Sequence, residues 1–158
     1  MKAVTTPEHE WLQTLVGSWT FETSWKTAPG EPDGHATGTE VVRAIGDAWI
    51  VGEARTAMPG GDIEQTAITL GYDTNLSQFV GTFVGSMMTY LWVYEGSLDN
   101  SRRVLTLRTK GPSLSGDGLA DYRDIIEIVS PDQRVMTGNA QGPDGTWTRL
   151  MEMRYTRA

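Results

Sequence analysis

Leu15-Val16-Gly17-Ser18-Trp19-Thr20-Phe21-Glu22-Thr23-Ser24-Trp25 is the stretch on which the fold turns. From Trp19 onward the odd positions hold Trp, Phe, Thr and Trp, and the even positions hold Thr, Glu and Ser. A period of two reads as a β-strand with one apolar face. A chain of net charge -7 cannot leave two tryptophans and a phenylalanine bare on one face. That face belongs either to a packed core or to the wall of a cavity that holds a ligand.

Upstream, the pattern is helical. Thr6 can cap, Pro7 suits the first helical position, and Glu8 and Glu10 favour the positive end of the dipole. Trp11, Leu12, Leu15 and Val16 then form one apolar stripe, and Gly17 closes it, which predicts a helix over 6–16. His9, in the first turn, reads as a surface residue.

Downstream, alternation persists to the C-terminus, broken by turn residues every eight to twelve positions. It predicts strands over 18–26, 35–44, 48–57, 65–72, 77–86, 89–98, 103–110, 120–130, 133–140 and 146–156. The links between them, such as Pro29-Gly30, Pro59-Gly60-Gly61-Asp62, Asp73-Thr74-Asn75 and Pro143-Asp144-Gly145, are turn chemistry. Residues 111–119 read as the longest loop and a candidate lid. Consecutive antiparallel strands with short links make an up-and-down meander, and closing it into a barrel removes the exposed edges. The expectation is an all-β, roughly ten-stranded barrel in one domain, 1–158.

Composition narrows the function. With 39% hydrophobic and 21% charged residues the chain is globular rather than disordered. It has no cysteine, no apolar run long enough to span a bilayer and no secretory h-region, which points to the cytoplasm. Residues 1–73 carry 4 basic and 11 acidic side chains, and Arg102-Arg103 is the only adjacent basic pair, at a hairpin tip. Such a surface argues against nucleic acid or an anionic membrane as partner. There is no G-x-S-x-G elbow, H-E-x-x-H, P-loop or dinucleotide fingerprint. His9 and His35 are too few for a metal site, and Asp62, Glu64 and Asp73 lack ligand spacing. No metal and no cofactor are expected.

Gly17-Ser18-Trp19 after a short helix resembles the G-x-W opening of the calycins, the lipocalins and fatty-acid-binding proteins. The chain is more similar still to the DUF1579 family. That pattern runs through Leu15–Trp19, Leu70-Gly71-Tyr72-Asp73, Gly81–Met87, Pro143-Asp144-Gly145 and Met151–Arg157. The resemblance implies a calycin-like barrel with a helix plugging one end, and no established activity. Gly85 stands where that family often has Asp. Nitrobindins share the barrel and hold haem through a late histidine, which this chain lacks after His35. The calycin likeness also implies that Trp19 packs beneath the helix against Arg157 of the last strand.

Placing Trp19 inside turns Phe21, Thr23 and Trp25 inward. Placing Arg157 inside turns Tyr155, Met153, Met151, Arg149 and Trp147 inward. The open rim then collects Trp25, His35, Arg55, Met58, Met87, Met88, Tyr90, Tyr122, Asp124, Trp147 and Arg149. The parity of 48–57 and 89–98 stays open: Glu53 and Arg55 share a face with Trp49 and Val51, and Tyr90, Trp92 and Tyr94 oppose Leu91 and Val93.

The leading reading is binding of a small, largely apolar or amphipathic molecule, with Trp25, Arg55, Met87, Met88, Tyr90, Tyr122, Trp147, Arg149 and Met151 as the candidate ligand-binding residues. The alternative is a cofactor-independent isomerase, cyclase or lyase. It would use Glu53, Asp124, Tyr90 or His35 as acid or base, with Arg149 or Arg55 polarising a carbonyl and Glu53 or Asp124 paired to Arg149. A homodimerising or protein-binding module is the third.

Overall fold

The computed structural model describes residues 1–158. A helix, α1 (Pro7–Gln13), precedes ten strands: β1 (Gly17–Trp25), β2 (Gly34–Ile45), β3 (Trp49–Ala57), β4 (Ile63–Asp73), β5 (Gln78–Gly85), β6 (Trp92–Leu98), β7 (Val104–Pro112), β8 (Leu119–Ser130), β9 (Gln133–Gln141) and β10 (Trp147–Arg157). Each strand pairs antiparallel with its neighbours in sequence, and β1 also pairs with β10, so the meander closes into a barrel without edges. No helix is long and apolar enough to cross a membrane.

Two boundaries differ from expectation. The helix stops at Gln13, because the amides of Thr14, Leu15 and Val16 bond three residues back and tighten the chain into β1. Residues 113–118 form a shorter link than 111–119, because β7 runs to Pro112 and β8 begins at Leu119; the connection over 26–33 is longer.

The helix closes one end. Trp19 pairs with Arg157 across β1 and β10, and the Arg157 guanidinium lies 4.2 Å from the Trp19 ring. Arg157 also donates to the carbonyls of Val16 (2.8 Å) and Thr14 (3.0 Å), which the short helix leaves free. His9 is buried, not on the surface. Its Nδ1 accepts from the Thr6 amide (2.9 Å), completing a capping box with histidine in the usual Glu position. Its Nε2 bonds the Tyr72 carbonyl (2.9 Å), tying the helix to β4. The histidine is therefore a structural clamp.

Inward positions follow the expected parity through β1, from Trp19 to Trp25. Beneath the helix they are sealed: Trp11, Leu12, Leu15, Trp19, Phe21, Val42, Ile50, Leu70, Phe79, Leu105, Leu107 and Ile126 form one buried cluster. Each large apolar side chain so buried contributes about 1.5–3 kcal/mol of transfer free energy.

Candidate functional site

The same inward face changes character toward the open end. There Thr23, Trp25, Thr66, Phe83, Trp92, Asp124, Met151 and Met153 point toward the barrel axis yet are only half-buried. Phe83 and Met153 pack against the buried cluster, and the others keep accessible surface toward the open end. Trp25, Met151, Gly138 and Asp124 lie in one row across β1, β10, β9 and β8. Glycines make room: a Cβ on Gly34 would collide with the Trp25 indole, and one on Gly111 with Trp92. Gly85 has a similar reason, since a side chain there would meet Met87.

An aromatic wall borders this space. Trp92 meets Tyr90 edge-on at 5.0 Å and Tyr122 at 5.1 Å. Their polar atoms are held in place: Tyr90 donates to the Lys110 carbonyl (2.8 Å), Tyr122 to the Pro112 carbonyl (2.5 Å), and Trp92 Nε1 to Met88 Sδ (2.9 Å). Met87 and Met88 themselves sit exposed in the turn between β5 and β6. Sequence parity alone left Trp92 and Tyr94 undecided. The structure turns them inward and leaves Leu91 and Val93 more than half exposed on the outer face.

The chemistry inside is acidic. Asp124 accepts a 2.5 Å hydrogen bond from the Tyr94 hydroxyl, reaching from β8 across β7 to β6. Burial pushes the Asp124 carboxyl up to about 6, and the Tyr94 bond only partly opposes this. Burial, and then the charge of Asp124, hold the Tyr94 phenol well above its usual range. Thr109, which pairs with Tyr122, is 8% exposed and its hydroxyl has no partner. Glu64, opposite the buried Thr56, adds a half-buried carboxylate near the start of β4.

Besides Arg157 at the closed end, one interior cation, Arg134, is neutralised. Arg134 is buried, ion-paired and hydrogen-bonded to buried Glu40, with its guanidinium 3.6 Å from the Tyr155 ring and 4.7 Å from Trp19. Tyr155, buried there, is raised above the ordinary tyrosine range by desolvation and then by the Glu40 charge. Neither Glu40 nor Arg134 stood out in the sequence, because each is a lone charge within an alternating strand. Their parity relative to Phe21 and Trp19 was the available signal.

Several expected rim residues lie outside. Between Arg149 and Met151 the pairing with β9 slips by one residue at a β-bulge, which reverses the face of everything before it. Arg149 therefore points outward and bonds Glu152 (2.9 Å), and Trp147 stacks beneath Arg123 (4.0 Å) on the outer surface. Arg149 meets neither Glu53 nor Asp124. Glu53 and Arg55 also face out, and Glu53 lies 3.7 Å from Arg43, because the register puts Gly52, Ala54 and Thr56 inside opposite Val42, Glu40 and Gly38. His35 is exposed, alternating with buried Ala36.

Two shallow depressions, about 450 and 620 Å³, lie on the barrel wall rather than within it. The first is lined by outward residues such as Val41, Glu53, Arg55 and Val84, the second by Glu22, Gln133 and Arg154. No three His, Asp or Glu side chains converge as metal ligands would.

Comparison with solved structures returns the same barrel. The chain is similar to Rv2717c from M. tuberculosis, with 13% identity and a TM-score of 0.62 over 98% of this chain and 99% of that one. It is similar to the S-type phycobiliprotein lyase CPES from Guillardia theta, with 12% identity and a TM-score of 0.63 over 98% and 93%. It is also similar to EF1p2_mFAP2b bound to DFHBI, with 13% identity and a TM-score of 0.51 over 95% and 98%. Curated proteins give no match. The family model for DUF1579, proteins of unknown function, matches residues 4–157, and the chain with its plugged ten-stranded barrel belongs to that family.

Proposed function

We propose that this protein binds a small, largely apolar molecule in the open half of its barrel. The observation that carries this reading is the set of inward-facing Trp25, Trp92 and Met151, which keep accessible surface toward the open end, while Phe83 and Met153 pack against the buried cluster nearer the helix. Aromatic and thioether walls with few polar groups are what such sites use. EF1p2_mFAP2b, which shares this fold, is bound to DFHBI, and this supports the reading by analogy of fold.

The test is a titration with Nile red, a neutral solvatochromic dye, followed through the emission of the tryptophans and of the dye. Saturable quenching with a blue shift is expected, and Trp92→Ala should weaken binding by about tenfold, since it removes the centre of the aromatic wall. A flat titration, or full binding by the variant, would overturn the assignment.

One observation favours a second reading as an isomerase, cyclase or lyase: Asp124, a carboxyl raised to about 6, faces the same space. Mass spectrometry of molecules recovered from the barrel distinguishes the two. A chemically altered product supports the enzyme, and unchanged ligand the binder.

A further inference from the structure

We infer that the open half of the barrel selects apolar molecules whose polar end donates hydrogen bonds from nitrogen, amines foremost, and rejects anionic head groups. This rests on the binding reading above and specifies which molecules it admits. A carboxylate-bearing ligand needs an arginine, a lysine or converging amides within the space. Arg149 and Arg55 point outward, and Arg149 is held by Glu152. Arg134 points in but is closed off by Glu40 and covered by Tyr155 and Trp19. No free positive charge is left to receive an anion.

The acceptors are placed the other way. Asp124 shares its inward row with Trp25 and Met151, so its carboxyl is the polar group in an otherwise apolar stretch. Tyr94 occupies one of its oxygens (Oδ2) as a donor and leaves the other free for a second donor. Glu64 adds negative charge, and the two arginines that face in, Arg134 and Arg157, are held in the closed half by Glu40 and by the helix carbonyls. The unpartnered hydroxyl of Thr109, nine-tenths buried on the inward face beside Tyr122, adds a further unsatisfied polar group on this wall. An ammonium or N–H group beside Asp124 gains a charge-assisted hydrogen bond. A carboxylate in the same place meets like charge in a low dielectric.

Isothermal titration calorimetry with three matched probes tests this: 1-naphthylmethylamine, 1-naphthylmethanol and 1-naphthoate. The expected order is amine, alcohol, carboxylate, with at least about tenfold between first and last, the range of one charge-assisted bond. Asp124→Asn should bring all three to within about threefold while the alcohol binds as before. Tyr94→Phe, which keeps the ring and frees the carboxylate, should retain the amine preference. Arg149→Met, on the outer wall, should change nothing, and circular dichroism confirms that each variant is folded. If the carboxylate binds as well as the amine, or if the preference survives Asp124→Asn, the inference is wrong and the binding reading stands. If none of the three binds, the binding reading falls and this inference with it.

Discussion

The two halves of one barrel interior use the same strands for opposite ends. In the closed half, helix α1 supplies Trp11, Leu12 and Leu15 as a lid, and the residues beneath it are buried almost completely. Its charges are spent on each other: Glu40 with Arg134, and Arg157 with the freed helix carbonyls. In the open half nothing comparable covers the sheet, and its charges, Asp124 and Glu64, have no cationic partner. A protein places its stability where packing is complete and its chemistry where it is not. The contrast can be broken by experiment.

The largest effect is expected from Trp19→Ala, which empties a sealed site and takes the ring from between Arg134 and Arg157. Denaturant unfolding should show a loss of about 3–5 kcal/mol. Trp25→Ala, on the same strand and face six residues further on, should cost about 1 kcal/mol, because its indole is only half-buried. Equal losses would erase the distinction between the halves.

Next comes the buried pair. Arg134→Met leaves Glu40 unpaired in the core and should cost about 3 kcal/mol. Glu40→Leu combined with Arg134→Met should recover most of that, since two apolar residues of similar size need no desolvation of charge. Failure of the double variant to recover would mean that the Trp19 and Tyr155 rings depend on the guanidinium itself.

The pH dependence of stability carries a sign. Asp124 is raised from 3.8 to about 6 by burial, so the folded protein favours the neutral acid and takes up a proton that the unfolded chain releases. Its contribution to stability is therefore greatest below about pH 4, falls as pH rises to about 6, and levels off above. Asp124→Asn removes that slope and should gain about 1–3 kcal/mol at pH 7, with no gain at pH 3.5. A difference between parent and variant that does not depend on pH would place Asp124 in contact with water, outside the barrel wall's low dielectric.

Nearly all of the architecture was legible in the residue order. Alternation is a local property, and all ten strands lie within three residues of their expected ends. Glycine and proline turns recorded the meander, and the alternation that puts Trp19, Phe21 and Trp25 on one face survived folding intact. Of the expected rim residues, Trp25, Tyr122 and Asp124 face inward, whereas His35, Arg55, Trp147 and Arg149 do not and Met87 and Met88 sit exposed in a turn; Met151, an expected ligand-binding residue, also faces inward.

The misplacements share one cause. A strand's two faces exchange whenever the count slips by a single residue, and nothing in Thr146-Trp147-Thr148-Arg149-Leu150 announces the bulge that slips it. Likewise, an apolar face with Trp49 and Val51 beside Glu53 and Arg55 left the parity of 48–57 open. Yet the cross-strand register needed the small residues Gly52 and Ala54 inside to admit Glu40. The sequence by itself determined the helix, the strands and the closed barrel, because these follow from period, turn chemistry and the need to remove edges. Only the tertiary structure decided which charges face inward, because that depends on register between strands far apart in the chain, where one bulge or one glycine outweighs any local pattern.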